Sequence, residues 1–165
     1  MKKFLFFIII STTFSGVLNS QIILPADKLV LDSIKEANIG NVILFNFWAT
    51  WCKPCVQEFP DLIKINKDFK NKNFKLIFVT LDFGDEEFKQ TKDFLKKNNV
   101  DFVTYYNNFN KDDELIEYMD KKWDGGIPGS FFYDVNGVLR KTFIGKRKYE
   151  NFKEVITDLM KKSKQ

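Results

Sequence analysis

Fifteen residues carry the strongest structural signal in the sequence: Asn-Val-Ile-Leu-Phe-Asn-Phe-Trp-Ala-Thr-Trp-Cys-Lys-Pro-Cys, residues 41–55. The first seven, residues 41–47, are almost continuously apolar, which is typical of a strand that is buried on both faces of a sheet. The apolar residues after Cys55 recur at helical spacing, so we predict a helix that begins near Cys52. The two cysteines therefore lie where a central strand turns into a helix.

The position of the cysteines favours redox chemistry. Unpaired backbone N–H groups and the macrodipole at a helix amino terminus stabilise negative charge, and Lys53 adds a cation beside Cys52. We therefore expect a lowered thiol pKa at Cys52 and assign it as the attacking thiol. Cys55 follows three residues later on the same helix face, within disulfide reach, and is the expected resolving thiol. Pro54 is tolerated in a first helical turn, and it stiffens the four-residue ring that a disulfide between the two cysteines would close.

Other uses of the pair remain open at this point. A purely structural disulfide between Cys52 and Cys55 would close a four-residue ring, which adds little loop-closure stability. Two thiolates cannot fill a zinc site, although linear Cu(I) coordination between them is physically possible. Trp51, beside the attacking thiol, is either a packing aromatic or, as we favour, part of a partly exposed docking surface.

Composition excludes several kinds of chemistry. The 165 residues include no His and only two Cys, which removes Ser-His-Asp and Cys-His catalysis and every His-containing metal site. The formal net charge is +4, from 26 basic and 22 acidic residues, and only Arg140 and Arg147 are arginines. Nucleic-acid proteins usually carry a denser basic patch with arginine in it. We therefore interpret the lysines as solvated surface and predict no nucleic-acid partner.

The rest of the sequence predicts an α/β domain. Gln21–Leu31 is expected to be extended, and Asp32 to cap a short helix that ends near Gly40. The elements then follow the order β-α-β-α-β-α-β-β-α, and the last two strands meet at Asn136-Gly137, where both residues tolerate positive φ. This order predicts a mixed sheet with helices on both faces. The expected strands are 41–47, 75–81, 102–106, 130–134 and 138–143, and the expected helices begin near 52 and span 85–98, 112–122 and 149–162.

The amino terminus has the pattern of a secretory signal peptide. Two lysines precede an unbroken apolar run, Phe4–Ile10, and we expect cleavage within about residues 15–21. An uncleaved membrane anchor is the alternative. We therefore divide the chain into a signal peptide or anchor, residues 1–20, and one domain, residues 21–165. Export to the periplasm or cell envelope would place the cysteines in an oxidising compartment, where disulfides persist.

The segment Phe-Trp-Ala-Thr-Trp-Cys-Lys-Pro-Cys at 47–55, after an apolar strand, resembles the active site of the thioredoxin superfamily. Its continuation, Val-Gln-Glu-Phe-Pro at 56–60, resembles the TlpA/ResA-like branch, whose members are exported or membrane-anchored thiol-disulfide oxidoreductases. A second marker, Gly-Gly-Ile-Pro at 125–128 followed by a strand, agrees with this. The resemblance spans about residues 25–160 and implies a thioredoxin-like fold.

The resemblance also implies roles for residues outside the cysteine pair. Pro128 would be the family's cis-proline, which faces the cysteines and turns the backbone of Ile127 toward Cys52 to bind an extended substrate strand. An ordinary turn proline is the alternative. Glu58 would hold a raised pKa and relay protons to or from Cys55, unless it is only a helix-surface glutamate. The predicted substrate-binding residues are Trp51, Lys53, Pro54 and Ile127.

Three features depart from the family pattern, and one of them, the Lys53-Pro54 dipeptide between the cysteines, differs from the commonest pairs and leaves the reduction potential open. Asn46 stands where thioredoxins proper carry a buried Asp. Because Asn does not titrate, proton handling must fall to Glu58 or to water, which fits the TlpA/ResA-like branch. Gly129 follows the proline where Thr is usual, which would loosen the substrate groove.

The sequence thus predicts an exported thiol-disulfide oxidoreductase that acts as a reductase. Reduced Cys52 would attack a disulfide in a client protein and Cys55 would release the reduced client, with no cofactor beyond this pair. The family implies a membrane-bound electron donor, and a monomer is favoured because nothing in the sequence demands a dimer. The alternatives are a thiol oxidase, a thiol peroxidase with an arginine near its reactive cysteine, and a Cu(I)- or client-binding module.

Overall fold

The computed structural model describes residues 21–162, and the predicted signal peptide or anchor at residues 1–20 lies outside them. No helix within residues 21–162 combines the length and the apolar content that a membrane crossing requires. The described elements, in chain order, are β1 Ile23–Ala26, α1 Lys28–Ala37, β2 Val42–Trp48, α2 Lys53–Phe69, β3 Phe74–Thr80, α3 Asp85–Lys97, β4 Thr104–Asn107, α4 Asp112–Met119, β5 Gly129–Tyr133, β6 Leu139–Ile144 and α5 Tyr149–Lys162.

The sheet has β2 near its centre. The strand order is β1-β4-β3-β2-β5-β6, in which β2 runs parallel to β3 and antiparallel to β5. The β1–β4 and β3–β4 pairs are parallel, and the closing β5–β6 pair is antiparallel. All seven residues of β2 are buried, as expected for a strand that is covered on both faces. The predicted α/β fold with a mixed sheet is confirmed.

Alternate residues of β2 face two separate layers. Trp48 packs in one cluster with residues of α2, α3 and α5, and this cluster also contains Cys52 and Cys55. Phe45 and Phe47 pack on the opposite face, against residues of α1 and α4. Helices therefore cover both faces of the sheet, as predicted, and the cysteine pair belongs to the layer that α2 forms.

The first helix begins earlier than the sequence predicts. Asp27 caps α1, because its carboxylate accepts a hydrogen bond from the backbone N–H of Val30 at 3.0 Å. Asp32, the predicted cap, lies inside the helix, where its carboxylate accepts a hydrogen bond from the hydroxyl of Tyr118. The stretch Gln21–Leu31 is consequently extended only in β1, which pairs with β4 at the sheet edge. By sequence, either aspartate could cap the helix. In the structure Asp32 instead lies inside the helix and contacts Tyr118 of α4.

The turn between β5 and β6 also differs from the expected one. Gly137 has a positive φ of 73°, whereas Asn136 does not. The carboxylate of Asp134 accepts hydrogen bonds from the backbone N–H groups of Asn136 and Val138, both at 3.0 Å. The carbonyl of Asp134 accepts from the N–H of Gly137 at 2.9 Å. Asp134 thus organises the turn, so that glycine alone takes the left-handed conformation.

Two further boundaries shift. Helix α4 ends at Met119 rather than residue 122, because Asp120 adopts an extended backbone and its carboxylate accepts from the hydroxyl of Thr142 at 2.7 Å. The strand predicted at 102–106 forms as β4, where β1 and β3 supply its partners. The other predicted elements after residue 40 agree with the structure to within one residue at each end.

Candidate active site

Cys52 occupies the N-cap position of α2, where β2 leads into the helix. Its backbone N–H donates to the carbonyl of Ala49 at 3.2 Å, which tightens the turn. Its Sγ accepts from the backbone N–H of Cys55 at 3.3 Å, and the two cysteines form a disulfide with their Cα atoms 5.3 Å apart. Lys53 and Pro54 are the first residues of the helix. Both sulfurs therefore lie at the positive end of the α2 dipole.

The disulfide lies just beneath an exposed rim. Cys52 is 6% exposed and Cys55 is 2% exposed, whereas Lys53 and Pro54 between them are exposed. Trp51 is 62% exposed, so it is not a packing aromatic. Trp48, three residues earlier, is the tryptophan that packs internally. The exposed residues of the motif therefore lie at the surface beside a nearly buried disulfide.

Glu58 is buried one helical turn after Cys55 and is only 1% exposed, so it is not a surface glutamate. Burial raises its pKa to about 7, even though hydrogen bonds oppose this shift. The backbone N–H of Arg147 donates to Oε2 at 2.6 Å, and the amide of Asn46 donates to Oε1 at 3.2 Å. The loop between β6 and α5 thus supplies one donor and β2 supplies the other.

Pro128 precedes β5 and is joined to Ile127 by a cis peptide bond. Because Gly129 pairs with Phe47 in the antiparallel register, Pro128 lies opposite Trp48. It is therefore at the carboxyl end of β2, where the cysteine turn begins. Ile127 is half-buried and packs against the clusters on both faces of the sheet. The structure therefore brings the Gly-Gly-Ile-Pro segment to the same end of the central strands as the cysteine pair.

Asp82 is a residue of this region that no sequence pattern singled out. It is 3% exposed, and it follows the carboxyl end of β3, next to the end of β2 where the cysteine turn begins. Its carboxylate accepts from the backbone N–H and the hydroxyl of Thr50, at 3.0 and 2.9 Å, and from the hydroxyls of Thr80 and Thr91. Asp82 thereby ties the turn that carries Trp51 to β3 and α3. One sequence signal could have found Asp82. It is a polar residue directly after a predicted buried strand, and that strand was expected to lie beside the one that leads into the cysteine motif.

The side chains of the two arginines bind groups outside the cysteine turn. The side chain of Arg140 pairs with Asp134 at 2.6 Å, in the β5–β6 turn. The guanidinium of Arg147 donates to the carbonyls of Gly145 and Lys146, at 3.1 and 3.0 Å. Both arginine side chains therefore have partners in the β5–β6 turn or in the loop between β6 and α5. Within residues 21–162, no group of three or more Cys, Asp or Glu side chains is arranged to hold a metal ion.

Comparison with known proteins places these features in a family. Residues 26–142 match the AhpC/TSA family. The thioredoxin-like protein YneN of Bacillus subtilis is 29% identical over 115 residues, which is 68% of this chain and 61% of the length of YneN. The thiol-disulfide oxidoreductase ResA of Bacillus cereus is 30% identical over 137 residues, which is 81% of this chain and 72% of ResA.

A solved structure agrees with the sequence matches. The crystal structure of StoA from Bacillus subtilis superimposes with a TM-score of 0.54 and 28% identity, over 70% of this chain and 81% of StoA. The matching stretch of the family, residues 26–142, includes the cysteine turn and the cis-proline segment. The thioredoxin-like fold and the resemblance seen in the sequence are both confirmed. The chain belongs to the AhpC/TSA family and is a thiol-disulfide oxidoreductase.

Proposed function

We propose that this chain is an exported reductase that converts disulfides in client proteins to thiols. One observation carries the proposal furthest. The cysteine pair begins α2, and one turn later a buried carboxyl group, Glu58, has its pKa raised to about 7. Because such a group is partly protonated near neutral pH, it can both accept and donate the proton that thiol-disulfide exchange moves.

Reduction of a client begins at Cys52. The amino end of α2 stabilises the Cys52 thiolate, which is the nucleophile. The thiolate attacks one sulfur of the client disulfide and forms a mixed disulfide. The second client sulfur leaves as a thiolate and takes a proton from solvent. Trp51, Lys53, Pro54 and the backbone of Ile127 are proposed to hold the client during this step.

Cys55 completes the transfer. Its thiol gives its proton to the Glu58 carboxylate, and the resulting Cys55 thiolate attacks the sulfur of Cys52. The remaining client sulfur leaves as a thiolate and is protonated by solvent. In sum, two protein thiols and one client disulfide become one protein disulfide and two client thiols, so two electrons pass to the client. Glu58 must be ionised for this half, which is expected to accelerate as the pH rises through about 7.

Regeneration uses the same groups in reverse. A dithiol of the proposed membrane-bound electron donor attacks Cys52, and Cys55 leaves as a thiolate that takes the proton from Glu58. The second donor thiol then attacks the mixed disulfide, which releases Cys52 and leaves the donor oxidised. Glu58 must be protonated here, so this half is expected to slow as the pH rises through about 7.

The direction of electron flow is tested by the reduction potential of the Cys52–Cys55 couple. A value near about −270 mV supports the reductase, and a value near about −120 mV contradicts it in favour of a thiol oxidase on the same residues. The couple is equilibrated with glutathione buffers and the thiols are counted after acid quenching. The Cys52→Ser variant, which cannot form the pair, is the blank.

The location is proposed from the amino terminus. Residues 1–20 would direct export to the periplasm or cell envelope, either cleaved or kept as an anchor, and residues 21–165 would act as a monomeric domain. Amino-terminal sequencing of protein from fractionated cells tests this. A mature terminus within about residues 15–21, or an intact chain in the membrane fraction, agrees with export. Intact chain in the cytosolic fraction contradicts it.

Trapping tests the chemical roles of the cysteines. The Cys55→Ser variant lacks the resolving thiol, so covalent adducts with client proteins are expected to accumulate at Cys52 in the native compartment. The matched Cys52→Ser variant is expected to accumulate few. Adducts are identified on non-reducing gels by mass spectrometry. Equal trapping by the two variants would contradict the assignment of attacker and resolver.

A further inference from the structure

Two adjoining hollows open beside Trp51 and share it with Phe83 and Gly84. The larger, about 850 Å³, extends from Trp51 past β3 to the start of α4 and to the segment 123–125. The smaller, about 460 Å³, follows the first turn of α3. We call the two together the Trp51 groove, which is bounded by Trp51, Phe83–Glu87, Asp112 and Asp124. Neither cysteine lines the groove, but Trp51 directly precedes Cys52 in the chain, so the groove lies next to the cysteine turn.

The groove presents aromatic surface to solvent. Phe83 is 86% exposed and Trp51 is 62% exposed. Phe88 and Tyr106 also line the larger hollow and pack against each other, with ring centroids 4.9 Å apart. Leaving a phenylalanine in water forgoes about 2 kcal/mol of burial free energy. Large exposed aromatics grouped beside a reactive centre are typical of a surface that contacts another molecule.

The charge of the groove is opposite to that of the chain. The chain has 26 basic residues against 22 acidic ones, yet among residues 21–162 no Lys or Arg lines either hollow. Three of the lining carboxylates hold the local backbone, and one of them, the buried Asp82, accepts from the N–H of Thr50 at 3.0 Å. Glu87 accepts from the N–H of Phe83 at 2.8 Å, and Asp124 accepts from the N–H of Gly126 at 2.9 Å. The remaining acidic groups on the rim are Asp85, Glu86 and Asp112.

These three carboxylates are exposed, and within residues 21–162 they take part in no hydrogen bond or ion pair of their side chains. Lys53, the cation nearest to Cys52 in sequence, lines neither hollow. The groove therefore offers negative charge around an aromatic centre. Its complement is a chain segment with aromatic or aliphatic side chains and with Lys or Arg.

We propose that the Trp51 groove binds the segment of a client protein next to its disulfide, and that this segment is basic and apolar. The inference rests on the proposed function, because the segment is placed by the attack of Cys52 on the client sulfur. Electrostatic attraction raises the rate of encounter, and the aromatic contacts hold the client sulfur at the redox pair. The groove thereby sets which disulfides react fastest.

Two peptides test this specificity. Each has one cysteine flanked on both sides by phenylalanine, and the next residues outward are lysine in one peptide and glutamate in the other. Each is supplied as its symmetrical disulfide, which the reduced protein converts to two peptide thiols while it is oxidised to the Cys52–Cys55 disulfide. At low ionic strength we expect the lysine peptide to react about tenfold faster than the glutamate peptide. The ratio should shrink at 0.5 M salt, because salt screens exposed charges over about 10 Å or less.

Matched variants localise the effect. The groove variant combines Asp85→Asn, Glu86→Gln and Asp112→Asn, and its ratio of rates for the two peptides is expected to fall close to one. The control variant combines Glu36→Gln, Glu150→Gln and Glu154→Gln, which removes the same charge from α1 and α5. The control is expected to keep the wild-type ratio. A ratio near one in the wild type, or equal loss in both variants, overturns the inference.

Two further measurements separate this inference from the proposed function. Hydroxyethyl disulfide is small and uncharged, so its reduction by the wild type reports the redox chemistry without the groove. If it and both peptides remain unreduced, the proposed function is overturned. The groove is then tested by the affinity of the oxidised protein for fluorescent, cysteine-free versions of the two peptides. Tighter binding of the lysine peptide supports the groove, and equal affinity overturns it.

Discussion

Two buried carboxyl groups lie near the cysteine turn, and their surroundings differ. Asp82 accepts from one backbone N–H and three threonine hydroxyls. Glu58 accepts from one backbone N–H and one amide, and its burial raises its pKa to about 7. Burial alone therefore does not fix the role of a carboxyl group. Asp82 holds the cysteine turn through its donors, whereas Glu58 has fewer donors and a raised pKa, which is the basis of its proposed role in proton exchange.

The largest effect is expected from Asp82→Ala. The substitution removes the acceptor of the Thr50 N–H and of the Thr50 and Thr80 hydroxyls, while the Thr91 hydroxyl keeps the carbonyl of Glu87 at 3.0 Å, so we expect the free energy of unfolding to fall by about 4 kcal/mol. Urea unfolding of the oxidised protein measures the change. The matched control is Asp101→Ala, at an exposed loop aspartate, and it should cost less than about 0.5 kcal/mol. A loss below about 1 kcal/mol at Asp82 would show that the threonines hold the turn without it.

The next largest effect is expected from Glu58→Gln, measured as the pH dependence of stability. The folded-state pKa of Glu58, about 7, is above the unfolded value of 4.5. The folded state therefore binds the proton more tightly, and wild-type stability falls as the pH rises from about 4.5 to about 7, by up to about 3 kcal/mol. The chain has no His to titrate in this interval. The glutamine variant should lose this slope.

Urea unfolding of the oxidised wild type and variant at four values of pH between 4.5 and 7.5 provides the test. The Asp101→Ala variant should keep the wild-type slope, because its side chain is exposed. Parallel slopes in the wild type and in Glu58→Gln would mean that another group titrates here.

A smaller effect is expected when a donor to Glu58 is replaced. In Asn46→Asp, a second carboxyl group faces Glu58 across the present 3.2 Å contact from Nδ2 to Oε1. Two carboxylates this close resist double ionisation, so the upper transition of the pair should rise by about one pKa unit, equivalent to about 1.4 kcal/mol. Carbon-13 NMR of the side-chain carboxyl groups against pH reports it. A transition that stays at about 7 or moves lower would contradict the expected coupling.

The smallest expected effect belongs to Thr91→Val, which removes one of the four donors to Asp82 while keeping the shape of the side chain. We expect a loss of about 1 kcal/mol in urea unfolding, since the other donors remain. Thr157→Val, at a helix threonine of α5, controls for the change in helix propensity and should be nearly neutral. A loss as large as that of Asp82→Ala would show that the donors do not act independently.

Much of the fold was predictable because its signals are local. The apolar run at 41–47, the helical spacing after Cys55 and the closing pair of strands each lie within one contiguous segment. The errors fell where two local choices compete. Asp27 and Asp32 both suit a helix cap, and in the structure Asp27 is the cap while Asp32 lies inside α1 and contacts Tyr118 of α4.

The candidate site was predictable in part. Its residue types and spacing placed Cys52 and Cys55 at a helix start, and the resemblance selected Glu58 and Pro128. The role of Asp82 was missed, because its partners come from three separate elements: the cysteine turn, β3 and α3. Periodicity does not show which of many surface-type residues will be enclosed in this way.

Sequence alone established the order of the elements, the cysteine pair at the start of a helix and the absence of histidine, because chain connectivity and composition fix these properties. Tertiary structure alone decided the environment of that pair. Glu58 owes its raised pKa to burial, and its strongest donor, the N–H of Arg147, comes from a loop 89 residues away in sequence. Hydration, charge and hydrogen bonding depend on which distant segments the packed sheet brings together, and no short stretch of sequence contains that information.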